Sequence, residues 1–295
     1  PEFATAILAA AGGVSTLVPP AIDLIIIGVI ANISIGGLFA AGILPAVVNG
    51  VAIMLIAYYY SKKMNLPLAD KTTTSDKIRV LKDGILPLLM IGIILGGIYG
   101  GVFTPTEAAS VAVVYGFLVS FFVYKELKLE DMPKLLLNTA NLSGVVLLVL
   151  ATASMFSFIL TFERIPHALA QIIVTYADNW IIFIILVHLV FLMLGMVMDA
   201  LPAIIVLMPI FLPVGVSLGM EPVHLGILIA ANVGIGMITP PVGICLFVAC
   251  GVSDVKIGNV VKPLFPFLLF LIITLIIITV YPQITLFLPR LFGII

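Results

Sequence analysis

The chain has 295 residues, 63% of them apolar and 9% charged, with a mean hydropathy of +1.35. A water-soluble fold of that size carries about 25% charged residues, so most of this surface faces lipid. Thirteen basic and 14 acidic residues leave a net charge of −1 and no basic face for nucleic acid. Cys245 and Cys250 lie in one apolar run and define no disulfide framework.

A helix crosses a bilayer with about 20 mostly apolar residues. In chain order, the candidates are residues 1–31, interrupted over 12–20, and then 35–60. A polar stretch at 61–83 precedes spans at 85–102, 108–124 and 135–160, followed by a shorter amphipathic piece at 165–176. Segments 180–198 and 203–218 are separated only by DALP at 199–202. The last two are 222–251, interrupted over 232–241, and 257–288. The chain opens on Pro1, in mid-pattern and without a basic segment ahead of an apolar core, so a preceding N-terminal part is expected.

Nine of the 13 basic residues fall in two loops: Lys62, Lys63, Lys71, Lys77, Arg79 and Lys82 in one, Lys125, Lys128 and Lys134 in the other. The positive-inside rule makes both cytoplasmic. Counting onward puts Arg164 outside and Lys256 and Lys262 inside, provided that 180–218 is a re-entrant hairpin. Two ordinary crossings there would place Lys256 and Lys262 outside. Tyr176 and Trp180 suit the outer interface.

The chain also resembles itself at an offset of 221 residues. Without a gap, Pro1 falls on Pro222, Ala9 and Ala10 on Ala230 and Ala231, and Gly13 on Gly234. Pro19 and Pro20 fall on Pro240 and Pro241, Gly37 on Gly258 and Pro45 on Pro266. Apolar bias does not readily align backbone-breaking residues. Five crossings lie between the copies, so they run in opposite directions, the architecture of secondary transporters with broken helices. The expected fold is therefore an all-α polytopic membrane protein, an inverted repeat with broken helices and a re-entrant hairpin.

GGVSTLVPP at 12–20 and NVGIGMITPP at 232–241 each interrupt a span. Unwound backbone inside a bilayer is tolerated only when buried in protein or lining a wet cavity. Its carbonyls are hard oxygen ligands suited to Na⁺, and the N-terminus of the next half-helix favours an anion. Asp199, Asp23 and Glu107 are the carboxylates well inside apolar sequence. Asp199 suits either an ion or solute contact or a helix cap. Asp23 suits the first turn of its half-helix. Thr104, Pro105, Thr106 and Glu107 spell a capping box with proline at the first helical position. His167, His188 and His224 are scattered along the chain, and there is no HExxH, GxSxG or GxGD pattern and no P-loop. Neither an enzyme nor a cofactor is expected.

GGIYGGVFTPTEAA at 96–109 closely resembles the hallmark of the large membrane subunit of TRAP (tripartite ATP-independent periplasmic) transporters. LVPP at 17–20, SIGGLF at 34–39 and GMITPPVG at 236–243 match it too, and the likeness runs from Pro1 to the C-terminus. Ala21 departs from it, where the family often has Ser. The resemblance implies an elevator-type, Na⁺-coupled importer of organic acids in the bacterial inner membrane, with sialic acid favoured and a C4-dicarboxylate next. It implies a small membrane (Q-type) subunit and a periplasmic substrate-binding protein as partners.

Carried onto this chain, the sodium candidates are Gly13, Ser15, Thr16, Asp199, Asn232, Gly234, Gly236 and Thr239, with Pro19, Pro20, Pro240 and Pro241 for the substrate site. The transport domain would comprise 1–34, the hairpin at 180–219 and 220–255. Scaffold helices would be 35–60, 85–162 and 256–295, with an inter-repeat loop at 61–84 and a periplasmic-side arm at 163–179. Two other readings stay open. One is a self-sufficient Na⁺- or H⁺-coupled anion transporter of similar fold, with H⁺ disfavoured for want of a deep histidine chain. The other is the membrane subunit of an ATP-driven permease.

Overall fold

The computed structural model describes residues 1–65, 74–164 and 180–295. The amphipathic piece at 165–176, with His167 and Tyr176, and Lys71 lie outside these residues. Everything regular in the described residues is helical. Twelve α-helices follow in order: α1 (Glu2–Val14), α2 (Ile22–Ala31), α3 (Ile35–Lys63), α4 (Thr74–Tyr99), α5 (Pro105–Leu118), α6 (Met132–Phe162), α7 (Trp180–Gly195), α8 (Ala200–Ser217), α9 (Pro222–Gly236), α10 (Ile244–Ser253), α11 (Ile257–Val280) and α12 (Gln283–Leu291).

Six helical segments among the described residues are long and apolar enough to cross a membrane, one of them the α1–α2 pair taken together. Large apolar side chains stand in the open, Val113 at 72% exposure, Phe158 at 70% and Val252 at 77%. Surfaces of that kind are stable against hydrocarbon and not against water. The chain is an integral, multi-pass helical membrane protein.

Two compact units divide it, residues 1–63 with 148–295, and residues 64–147. In the second unit, α4 packs on α5, and the Tyr115 hydroxyl donates to the Leu86 carbonyl at 2.9 Å. Thr104 caps α5: its Oγ1 accepts the Glu107 N–H at 3.3 Å, and Glu107 Oε2 accepts the Thr104 N–H at 2.8 Å. Of the polar stretch expected as a loop at 61–83, residues 61–63 and 74–83 are helical, because α3 runs on to Lys63 and α4 starts at Thr74. Asp76 in the first turn favours a helix there despite the polarity.

In the first unit α9 is central. Every residue from Val223 to Gly236 is buried, with α7 and α8 of the hairpin on one side and α1, α11 and α3 also packed against it. The two copies of the repeat share an order of elements. A helix is interrupted before a Pro-Pro pair in cis (Pro19–Pro20, Pro240–Pro241) and a second half-helix follows. That half-helix ends on a left-handed residue, Asn32 or Asp254, and a long helix comes next, carrying Pro45 or Pro266 inside it. The long helices α3 and α11 pack with the broken ones in this same unit. The Thr274 hydroxyl on α11 donates to the Asn49 amide oxygen on α3, both buried. The final segment, read as one span over 257–288, is two helices parted at Tyr281–Pro282, where Pro282 has no N–H to continue α11.

Candidate transport site

Prolines set the breaks. Pro19 and Pro20 have no N–H for the carbonyls of Ser15 and Thr16, nor Pro240 and Pro241 for those of Gly236 and Met237. Three of these four carbonyls find other donors: Val18 N–H reaches Ser15 at 3.2 Å, Thr239 N–H reaches Gly236 at 2.8 Å and Cys245 N–H reaches Met237 at 2.9 Å. A buried carbonyl without a partner is costly, so the chain folds back on itself around each break.

The non-helical backbone is shorter than expected and lies later. It covers 18–21 in the first copy and 237–243 in the second, while Gly13, Asn232, Gly234 and Gly236 remain helical. The interruptions read at 12–20 and 232–241 are corrected accordingly. Glycine in these places serves close approach rather than unwinding. A Cβ on Gly13 would stand 2.6 Å from the Gly234 carbonyl oxygen, and a Cβ on Gly234 would overlap the carbonyl oxygen of Gly13. Equivalent residues of the two copies thus touch each other reciprocally. A Cβ on Gly236 would likewise stand 2.7 Å from the Cα of Gly195, at the end of the first hairpin arm, and Gly243 N–H donates to the Met196 carbonyl at 3.1 Å. The hairpin tip is tied to the second break.

The polar candidates divide into two groups. Thr16 is buried, with its hydroxyl 3.1 Å from the Ala230 carbonyl and 3.3 Å from that of Gly13, so it links the two broken helices. Ser15 is exposed and donates to the Gly12 carbonyl at 2.7 Å; Thr239 donates to the Ile235 carbonyl at 2.7 Å. A hydroxyl that donates to its own helix still has lone pairs to offer an ion. Asn232 is different. It is wholly buried, and its amide turns to the Leu228 carbonyl at 2.6 Å and to the His188 ring at 2.8 Å. The structure does not bring this side chain to Ser15 or Thr16.

Asp199 is the N-cap of α8, with Oδ1 accepting the Ala200 N–H at 2.7 Å, and it is exposed. It lies close enough to Asp23, in the first turn of α2, for its charge to act there, and both carboxylates act on Cys245 in the first turn of α10. Gly12 is also beside Cys245, a Cβ there being 3.6 Å from the cysteine Cβ. Three helix N-termini therefore converge near two carboxylates, beside both breaks. Helix N-termini attract anions and the carboxylates attract cations, so this corner has the electrostatics to hold both. Pro19 is buried here, Pro240 half-buried, and Pro20 and Pro241 exposed. Thr104, Pro105, Thr106 and Glu107 belong to the other compact unit, where the box closes the start of α5. Asp23 and Cys245 stand outside the sequence-derived site. The signal for Asp23 was present, as a carboxylate in apolar sequence.

A multi-pass helical protein with paired interrupted helices and a polar corner between them belongs to the class of membrane transporters. Residues 1–284 match the family model described as tripartite ATP-independent periplasmic transporter, DctM component. The chain is 36% identical over 291 residues to the C4-dicarboxylate TRAP transporter large permease protein DctM of Pseudomonas aeruginosa, covering 99% of this chain and 68% of the relative. It is also 36% identical over 291 residues to the sialic acid TRAP transporter large permease protein SiaM of Vibrio cholerae, with the same coverage. It is 37% identical over 287 residues to the isethionate TRAP transporter permease protein DctMQ of Oleidesulfovibrio alaskensis, covering 97% of this chain and 45% of the relative. The chain belongs to the large-subunit family of TRAP transporters. It is a transporter permease and not an enzyme.

Proposed function

We propose that this chain is the membrane-embedded translocation subunit of a Na⁺-coupled secondary transporter in the bacterial inner membrane, importing an organic acid by an elevator mechanism. The reading rests above all on the reciprocal contact of Gly13 and Gly234, equivalent positions of a repeat meeting as residues do across a two-fold axis. That arrangement fits inverted repeats whose broken helices hold ion and solute between them. Na⁺ would lie among Ser15, Thr16, Thr239 and the loop carbonyls, with Asp199 nearby. The solute's anionic group would face the helix ends at Pro20 and Pro241. The packing of α3 and α11 with the broken helices supports a moving body that includes both.

The partners are a small membrane subunit and a periplasmic binding protein; a fused relative named DctMQ agrees with a Q-type partner. For the substrate, near-equal identities of 36% and 37% to relatives named for C4-dicarboxylate, sialic acid and isethionate support a small carboxylate or sulfonate and do not rank sialic acid first.

The test is uptake of radiolabelled sialic acid, succinate and isethionate by the complete complex in vesicles, with its binding protein. Uptake of one of them should collapse when the sodium gradient is removed. Undiminished uptake driven by a proton gradient or by ATP overturns the coupling, and uptake without the binding protein overturns the three-component assembly.

A further inference from the structure

Four helix ends meet around one cavity of about 260 Å³ in the first compact unit. Its wall includes Leu218, where α8 ends, and Val280, the last residue of α11. Glu221 and Pro282, the N-caps of α9 and α12, also line it, as does Trp180 at the start of α7. From here α9 runs 15 residues to Gly236, so about 20 Å separates the cavity from the second break. Helix ends beside a tryptophan mark the level of the lipid headgroups, and Trp180 suits the outer interface.

The polar groups of the wall divide into those already engaged and those left open. His224 is buried, its ring held by Thr285 Oγ1 at 2.8 Å and by the Thr279 backbone. The Thr279 hydroxyl donates to the Leu275 carbonyl at 2.7 Å and lies 3.0 Å from His188 Nε2. The exposed Glu221 side chain caps no N–H of α9, and among the described residues it has no hydrogen bond and no ion pair. The indole N–H of Trp180 likewise has no acceptor among the described residues.

Two helices end and two begin at this cavity, so their dipoles offset one another. Among the described residues of the wall, Glu221 alone carries a formal charge at pH 7, and that charge sets the sign. A cation is drawn in and an anionic solute is repelled. A bare metal ion needs several oxygen, nitrogen or sulfur ligands, and no group of three His, Cys, Asp or Glu side chains is placed to hold one among the described residues. An organic ammonium group fits better. Its charge pairs with a carboxylate and an indole face, and its carbon atoms lie against Leu218, Met220 and Leu286.

We propose that this cavity binds an organic ammonium group, carried by an outer-leaflet phospholipid or by a soluble amine, with Glu221 and Trp180 as its recognition residues. Bound there, the ammonium joins the outer ends of both hairpin arms to α9, α11 and α12. The site stands apart from the sodium and solute positions proposed above, and its test needs no uptake.

The experiment uses the complete complex in phosphatidylglycerol nanodiscs, with 5-fluorotryptophan introduced into this chain alone. Trp180 is the single tryptophan of the 295 residues, and loss of its ¹⁹F signal in Trp180→Phe assigns it. Ethanolamine is titrated against propan-1-ol, which puts a methyl group where the ammonium stands. In a second series phosphatidylethanolamine replaces part of the lipid. The Trp180 signal should shift saturably with at least one of the two amines and not with propan-1-ol. A shift with ethanolamine identifies a soluble amine as sufficient, and a shift with phosphatidylethanolamine alone identifies the lipid headgroup. Glu221→Gln keeps the shape of an exposed side chain that bonds nothing in the fold, and removes its charge. In that variant the amount of amine needed for half-saturation should rise at least about tenfold. No saturable shift in either series overturns the proposal. So does an equal response to propan-1-ol, or an unchanged titration in Glu221→Gln.

Discussion

The two broken helices are built alike and live differently. The first, α1 to α2, exposes Ala4, Leu8, Ala11, Ser15 and Val18 along one face, whereas α9 of the second is buried on every side. At the position equivalent to Asn232 the first copy has the exposed Ala11. The repeat thus determines where the backbone breaks, and the neighbours determine what each break does. Around the second break the hairpin covers the helix, so a polar side chain inside it must find partners, and Asn232 finds Leu228 and His188. On the open face of the first, polar groups such as Ser15 are left facing outward.

The largest effect should come where the copies are most alike. Gly13→Ala and Gly234→Ala each drive a methyl group toward the other helix's carbonyl, and each should cost about 1–3 kcal/mol. Gly50→Ala on α3, which has open space, should be neutral or stabilise by up to about 1 kcal/mol. Thermal unfolding of the purified complex separates them, and equal melting temperatures for all three would show that the close crossing carries no constraint.

The next effect should break the likeness. Asn232→Ala leaves the His188 ring and the Leu228 carbonyl short of a donor and should cost about 1–3 kcal/mol, against under about 0.5 kcal/mol for the equivalent Ala11→Asn on the exposed face. Matching losses in the two variants would mean that the copies share one environment after all.

The smallest contrast concerns the hydroxyls. Thr16→Val removes the link to the Ala230 carbonyl and should cost about 1 kcal/mol. Ser15→Ala should shift unfolding by under about 0.5 kcal/mol while raising the sodium concentration needed for half-maximal uptake. A Ser15→Ala complex with unchanged sodium titration removes Ser15 from the ion site.

Much of this was legible before any coordinates. Pro19, Pro20, Pro240 and Pro241 marked the breaks because a residue without an N–H ends a helix wherever it is placed. Thr104, Pro105 and Glu107 marked the start of α5 because a capping box closes within one turn. The glycines misled. Gly13, Gly234 and Gly236 read as unwound backbone, yet they are helical, and what they provide is room for another helix. Local pattern does not distinguish these two uses of glycine. The histidines misled in the opposite sense. Scattered in sequence, His188 and His224 gave no motif, and only the passage of α11 between them joins them through Thr279.

The amino-acid sequence by itself determined the solvent, the helical class, the repeat and the family. Each of these follows from composition or from residues near one another in the chain. The tertiary structure decided the crossing of the two copies at Gly13 and Gly234, the approach of Asp23 and Asp199 to Cys245, and the burial of Asn232 against His188. These contacts join residues tens to hundreds of positions apart. Their energy comes from the packing of whole helices, and no short window of sequence carries it.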